Sequence, residues 1–454
     1  MTKDLPQMSA TALAKSLARG ELTSEALVES CFARIKDHND DSIFISLTKE
    51  AAFKAARASD ARRKAGKLLS VFDGIPVAWK DLFDVPGTAT TAASAVYENA
   101  TPPVEPAVIF DNCTKAGMIC IGKTNLSEFA YSGLGLNPHF GTPVNPNSKD
   151  DPLAPGGSSA GSAVAVAASI VPLAVGTDTA GSVRVPAAFC GIVGFKSSQK
   201  HYDKAGIFPL SESLDSVGTF AHTIEDLITF DAILRGDPTP APQAILSDAK
   251  PNLIIPTTLV MEGLNPEVAA AFEGAVKQLI AAGYSVVERE FPIFAEVTDL
   301  FSKHGTLTVA EAAALHKDLL ASADAAKMDQ RVRERMLSAS QFTAQDYIQL
   351  QWERARLQAA VVEKLGDDIL LFPTVSITAP SIAKLEADND LFVATNLMAL
   401  RNTMLGNYLG MPGVSLPIGV TPSNTTIGAL FSMANTKDLD LLTYIAALEP
   451  VLLV

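Results

Sequence analysis

Residues 154–196 read APGGSSAGSAVAVAASIVPLAVGTDTAGSVRVPAAFCGIVGFK, and most of the architecture can be worked out from them. SAGSAVAVAASI (159–170) has the small residues of a buried helix, while PLAVG (172–176) and IVGF (192–195) are short apolar strands. The run Ala160 to Gly176 approaches a membrane span in apolar content. Pro172 breaks it, however, and its side chains are small, so a buried helix followed by a buried strand is expected. Two Gly/Ser segments, 154–163 and 176–187, bracket this helix–strand unit. Loops tied at both ends to core elements are not free linkers. Glycines and hydroxyls at such strand and helix ends let a ligand approach backbone N–H groups closely.

Outward from this unit the texture repeats. IPVAWK (75–80) predicts a strand, AVIFDNCTKAG (107–117) a helix and MICIG (118–122) a strand. Residues 9–66 read as helices, with Ser9 and Thr23 as caps. Downstream, GDPTPAPQ (236–243) is a proline-rich connector. NLIIP (252–256), PEVAAAFEGAVKQLIAAG (266–283) and YSVVERE (284–290) form another βαβ unit. A helical region (305–365) then leads to the strands DILLFPT (368–374), GVSLPIG (413–419) and IGALFSMA (427–434), and to a short terminal helix. The expected class is α/β: one large domain over 1–454, with a mixed, mostly parallel central sheet flanked by helices on both faces. Its parts are N-terminal helices (about 1–66), a core (about 67–235), a βα and helical insertion (about 250–365), and C-terminal strands and helix (about 366–454). No internal repeat interrupts this pattern.

Composition narrows the function. The 454 residues carry 36 Lys and Arg against 50 Asp and Glu, a formal net charge of −14. With no basic run, this argues against binding nucleic acid or an anionic membrane through charge. Hydrophobic residues make up 48% and charged ones 19%, enough for a large core. Four cysteines (Cys31, Cys113, Cys120, Cys190) form no disulfide framework, so a reducing cytoplasm is expected. The polar N-terminus lacks the basic start and apolar block of a signal peptide.

Several catalytic patterns are accidental. Gly117 to Thr124 matches the phosphate-loop spelling G-x-x-x-x-G-K-T, but its interior, Met-Ile-Cys-Ile, wants to be a strand. Gly157 to Gly161 matches G-x-S-x-G, which would make Ser159 a nucleophile. That elbow must follow a buried strand, yet NPNSKDDPLAP precedes it, and no histidine follows His316. S-x-x-K occurs twice, at Ser46–Lys49 and Ser197–Lys200. The six histidines (His38, His139, His201, His222, His304, His316) and the Cys113/Cys120 pair lack metal-ligand spacing. No metal or other cofactor is expected.

What remains is the pair of Gly/Ser segments and Lys80. Most lysines are exposed, but one ending a buried strand is a candidate for a depressed pKa. Together these residues resemble the amidase signature family. The resemblance runs from GIPVAWKD through GKTNLSEFA, APGGSSAGS and GTDTAGSVRVPAAFCGIVGFK to SLDSVG and GVSLPIG. It implies Lys80 as base, Ser158 as a bridging serine in a cis peptide, and Ser182 as nucleophile, with the two serines 24 residues apart as in the family. It also implies an oxyanion hole from the backbone N–H groups of Thr179, Ala180, Gly181 and Ser182. Gly156, Gly157, Ser159, Asp178 and Arg184 are then structural supports. Two departures stand out. Ala180-Gly181 replaces the usual Gly-Gly, restricting φ at 180, and Ser197-Ser198 replaces Pro-Thr. Because the chain stops soon after its late strands, the extra C-terminal domain of some relatives is expected to be absent.

The chemistry follows from the amide. Its carbonyl is a poor electrophile and its nitrogen a poor leaving group, so the site must activate a serine, stabilise an oxyanion and protonate the departing nitrogen. A lysine neutral near pH 7 does the first and third, at a cost of about 4 kcal/mol for bringing its pKa down from ~10.4. Trp79, Leu82 and Phe83 are the expected source of its burial. Phe129 and Tyr131, with Phe140 nearby, are candidates for the substrate pocket, their ordinary role being core packing. The expected function is a serine amidase converting a small or medium carboxylic amide to a carboxylate plus ammonia or an amine, through an acyl-enzyme on Ser182. Its partner is a small-molecule amide, without nucleic acid, membrane or cofactor, and self-association is left open. The alternatives are a glutamine-hydrolysing subunit of a tRNA-dependent amidotransferase and a non-catalytic binding subunit on the same fold. The second would be expected to lack Lys80, Ser158 or Ser182, and all three are present.

Overall fold

Short runs of Val, Ile, Leu and Ala, flanked by glycine or polar residues, form the strands of the computed structural model, which describes residues 8–237 and 251–452. They are β1 (Phe44–Leu47), β2 (Pro76–Lys80), β3 (Ile119–Thr124), β4 (Leu173–Asp178), β5 (Val193–Lys196), β6 (Ser216–Ala221), β7 (Leu253–Pro256), β8 (Val286–Arg289), β9 (Ile369–Pro373), β10 (Gly413–Val420) and β11 (Thr426–Ser432). All join one sheet in the order β1-β3-β2-β4-β6-β5-β10-β11-β9-β7-β8. The proline-rich connector falls mostly outside the described residues.

The α/β class, the single domain and the mixed sheet are as expected. "Mostly parallel" is not. Among the described residues four neighbouring pairs run parallel (β2–β3, β2–β4, β7–β8, β7–β9) and six antiparallel. The difference comes from strands with weak signals. SVGTFA of β6 has too few large apolar residues to stand out, yet it inserts antiparallel between β4 and β5. β10 and β11 form a hairpin, antiparallel by construction. The four-residue β1, inside a region read as helical, adds an antiparallel edge on β3.

Strand alternation feeds both faces. Val77, Trp79, Leu173, Val175 and Val217 pack with the helices Val108–Lys115, Ile224–Leu234, Pro266–Ala281 and Asp438–Leu452. Ala78, Ala174 and Phe220 face the helix Ala160–Ala167 on the other side. Ser9 and Thr23 cap their helices as read, each hydroxyl accepting a backbone N–H three residues on. The helical region 305–365 is broken into several segments, the longest Ala344–Leu365. Among the described residues no helix is long and apolar enough to cross a membrane.

Candidate active site

β2 and β4 are parallel neighbours, so their carboxyl ends emerge side by side, where open α/β sheets bind ligands. Lys80 ends β2 two residues beyond Ala78 and therefore keeps to the face of helix Ala160–Ala167. Trp79 points the other way, edge-on to Phe83 and Phe110 with ring centroids 5.4 and 5.2 Å away. The Lys80 side chain is fully buried. Its Nζ lies 2.8 Å from Ser158 Oγ, 2.8 Å from Thr177 Oγ1 and 3.4 Å from the Thr177 carbonyl. Burial brings its pKa down to about 7, although the charges of Asp215 and Asp178 pull it upward.

The Gly157–Ser158 peptide is cis. Glycine is required before it, because a Cβ at 157 would lie 2.5 Å from the Gly135 nitrogen. Gly156 has φ +77 and a backbone neighbour, Pro186 Cα, 2.8 Å from where its Cβ would be. Ser159 ties the two Gly/Ser segments together: its N–H donates to the Ser182 carbonyl (3.2 Å) and its hydroxyl to the Thr177 carbonyl (3.2 Å). That hydroxyl is internal and occupied, which disposes of the elbow pattern.

The second segment turns from β4 into the helix Arg184–Cys190. Asp178 closes the turn by accepting the Val183 N–H (3.0 Å) and a two-pronged pair from Arg184 (3.0 and 2.9 Å). Asn407 donates to both the Asp178 carbonyl and its carboxylate. Burial pushes the Asp178 carboxyl up, but Arg184, Lys196 and Asn407 outweigh it and hold it well below the usual carboxylate range. Gly181 sits at φ +144, and a Cβ there would strike Thr403 Oγ1 at 2.2 Å. Ala180 adopts no positive φ, so alanine fits, and its carbonyl accepts from Thr403 Oγ1 at 2.7 Å. Among the described residues the N–H groups of Thr179, Ala180, Gly181 and Ser182 have no acceptor, and the Ser182 hydroxyl has no partner. Ser182 is 4% exposed, against 0% for Lys80 and Ser158.

The Ser197-Ser198 departure is absorbed by the terminal helix. The Ser198 N–H and hydroxyl both donate to Asp438 at 2.7 Å, and the Ser197 N–H, which a proline would lack, donates to Val217. Lys123 of the phosphate-loop match lies within β3, buried against Asp81 at 2.7 Å. Among the described residues no three His, Cys, Asp or Glu side chains gather as metal ligands would.

A cavity of about 270 Å³ adjoins the site, with Ser127, Tyr131, Arg335 and Asn396 in its wall. The Ser127 N–H donates to the Ser158 carbonyl at 3.1 Å. Of the two candidate pocket residues, Tyr131 lines this cavity. Phe129 is fully buried among Tyr97, Phe208 and His316 and lines none of it. Thr177, Asp215, Thr403 and Asn407 went unread: each acts through a tertiary contact that no local spacing announces.

Comparisons with known proteins bear on the family and the fold. The Amidase family model matches residues 26–442. The chain is 35% identical over 425 residues to 2-amino-5-chloromuconic acid deaminase of Comamonas testosteroni, covering 91% of this chain and 90% of that one. It is 39% identical over 302 residues to a glutamyl-tRNA(Gln) amidotransferase subunit of Chloroflexus aggregans, covering 64% of this chain and 61% of that one. A crystal structure of an amidase superposes with TM-score 0.86 at 30% identity, covering 98% of this chain and all of the other.

Proposed function

Since the chain belongs to the amidase family of hydrolases acting on amide C–N bonds, we propose that it hydrolyses a small or medium carboxylic amide through an acyl-enzyme on Ser182. The observation that carries this reading is the 2.8 Å contact between Lys80 Nζ and Ser158 Oγ in a fully buried setting, beside the loop bearing Ser182. With a pKa of about 7, Lys80 is substantially neutral at physiological pH. A neutral amine has two N–H donors, which Thr177 engages, and one lone pair left for the Ser158 proton.

Ser182 Oγ attacks the amide carbon and passes its proton through Ser158 to Lys80, and the carbonyl oxygen becomes an oxyanion. The two serine hydroxyls are not hydrogen-bonded to each other in the free protein, so this step requires them to meet when substrate binds. The unengaged N–H groups at 179–182 are suited to receive it; removing one such donor typically costs about 3–4 kcal/mol of barrier. As the C–N bond breaks, Lys80 returns the proton through Ser158 to the leaving nitrogen. Water, deprotonated by the same relay, then releases the carboxylate. Asp178, Arg184 and Ser159 hold the loop without touching the reacting atoms. The reading includes a cytoplasmic enzyme, supported by four unpaired cysteines, and a reaction needing neither metal nor nucleotide.

The test is ammonia release from a panel of amides by the purified chain alone. Hydrolysis by wild type, its loss in Ser182→Ala and its retention in Ser159→Ala are expected. The reverse pattern in the two serine variants would restore the elbow. The Chloroflexus aggregans relative keeps a second reading open, a glutamine-hydrolysing subunit. It predicts little hydrolysis of simple amides until partner subunits are added.

A further inference from the structure

A second cavity, of about 830 Å³, shares no wall residue with the one that Tyr131 lines. Its wall begins at Ser198, where the chain departs from the family's spelling, and runs on through Lys200. In a protein of net charge −14 this wall collects cations without partners of opposite charge. Lys200 makes no hydrogen bond or ion pair among the described residues. Lys204 Nζ meets only the carbonyls of Glu212 (3.0 Å) and Asp215 (3.5 Å). Arg354 gives Nε to the Tyr408 carbonyl (2.8 Å) and Nη2 to the Ser213 carbonyl (3.0 Å), and its Nη1 has no acceptor among the described residues. The facing carboxylates are spent or exposed. Asp438 is taken by Ser198, Glu311 near Arg354 accepts from Ser211, Ser213 and Tyr347, and Glu212 is exposed to solvent. Two neutral amides in the wall, Gln358 and Asn435, also have no hydrogen-bond partner among the described residues. No Phe, Tyr or Trp lines the cavity, and the His201 ring is held by Asp231 and packed edge-on to Tyr202 and Phe195.

Like charges gathered in a cleft focus their field on a counter-ion, and ammonium groups beside a guanidinium suit the oxygens of a phosphate. Free side-chain amides suit hydroxyls, whereas a nucleobase would find no aromatic face to stack on. We propose that this cavity is an effector site for a small phosphorylated sugar or polyol, with Lys200, Lys204 and Arg354 on the phosphate. The same wall carries two anchors of the nucleophile loop. Lys204 and Arg354 hold the segment 212–215 by its carbonyls, and Asp215 accepts the Thr179 hydroxyl at 2.5 Å. Gln199 donates to the Asn407 carbonyl at 2.8 Å, and Asn407 in turn holds Asp178. A ligand that fixes Lys204, Arg354 and Gln199 steadies both anchors, so its binding raises kcat and leaves the substrate's own cavity untouched.

The probe is glucose 6-phosphate, with inorganic phosphate, glucose and citrate as comparators. Titrated into the purified chain, it should raise the melting temperature saturably and bind about tenfold more tightly than inorganic phosphate, while glucose should have no effect. Lys200→Glu changes a side chain that holds nothing in the free protein. It should melt as wild type without ligand and lose the shift, and Lys204→Met should weaken it. No shift with either phosphate, or a shift unchanged in Lys200→Glu, would overturn the site. A response to inorganic phosphate or citrate as large as that to glucose 6-phosphate would overturn the ligand class. The coupling is read on an amide that the chain hydrolyses: saturating glucose 6-phosphate should raise kcat several-fold with KM unchanged, and Lys200→Glu should not respond. Binding that leaves kcat unmoved, or competes with the amide, would overturn the effector role. If the chain hydrolyses no amide, the amidase reading fails, and the melting shifts still decide the site.

Discussion

Lys80 is unusual less for being buried than for what surrounds its nitrogen. It has two hydroxyls and a carbonyl within reach but no carboxylate in contact, so burial dominates and the pKa settles at about 7. If the neutral form is the base, kcat/KM should rise with pH, be half-maximal near 7 and fall about tenfold per pH unit well below that. A flat profile from pH 5 to 9 would remove Lys80 from the chemistry. Asp215 pulls this pKa upward, so Asp215→Asn should move the acid limb to lower pH. A limb that stayed in place would mean another group titrates. Lys80→Met keeps the length of the stem and loses the base. Amides, whose leaving nitrogen needs a proton, should suffer more than activated esters, and equal losses would assign the residue a packing role. Lys80 was legible through the motif GIPVAWKD rather than through its strand-end position alone, since β5 also ends in a buried lysine, Lys196. The source of its burial was read less well: Trp79 turns to the opposite face, and the contacts that matter come from Thr177 and Ser158, 97 and 78 residues away.

At the scale of elements, the loop between β4 and the helix Arg184–Cys190 is held by one buried ion pair. Asp178 and Arg184 are 0% and 1% exposed at the side chain, and Arg184 Nη2 lies 2.9 Å from Asp178 Oδ1. Removing one partner of such a pair leaves an uncompensated charge and costs about 3–5 kcal/mol, while removing both often costs less. Arg184→Met should therefore lower unfolding stability by about that amount in denaturant titrations, and Asp178→Asn combined with Arg184→Met should recover part of it. Strict additivity of the two single effects would show that the pair is not coupled. The loop itself was legible in GTDTAGSVRVPA because its glycines and its Asp–Arg spacing are local. Asn407, which completes the cluster from 229 residues away, was not. β6 was missed because Val217 and Phe220 are the only large apolar residues in SVGTFA, so it lacks the apolar run that marks a strand, and its place between β4 and β5 is set by tertiary pairing.

The sheet order makes the whole molecule one unit, because its last strands are among its most central. β10 lies between β5 and β11, and β11 joins β10 to β9, so among the described residues the C-terminal hairpin is the only link within the sheet between the strands up to β5 and the half ending in β8. It also supports the helix behind the nucleophile loop, where the Thr426 hydroxyl donates to the Ala188 and Phe189 carbonyls at 2.9 and 2.8 Å. The terminal helix adds Leu441, Leu442, Ile445, Leu448 and Leu452 to the core and the Asp438 carboxylate to Ser198. Each such leucine or isoleucine is worth roughly 1.5–3 kcal/mol on burial. Together they rival the ~5–15 kcal/mol net stability of a typical domain. A chain cut after Pro412 retains Lys80, Ser158, Ser182, Asp178 and Arg184, yet it exposes the edges of β5 and β9 and splits the sheet. It should show no cooperative unfolding transition and no amide hydrolysis, with circular dichroism during denaturant titration and ammonia release as the two readouts. A sigmoidal transition with measurable turnover in the cut chain would mean that the first half folds and works alone, and the hairpin would then be an addition to the catalytic core.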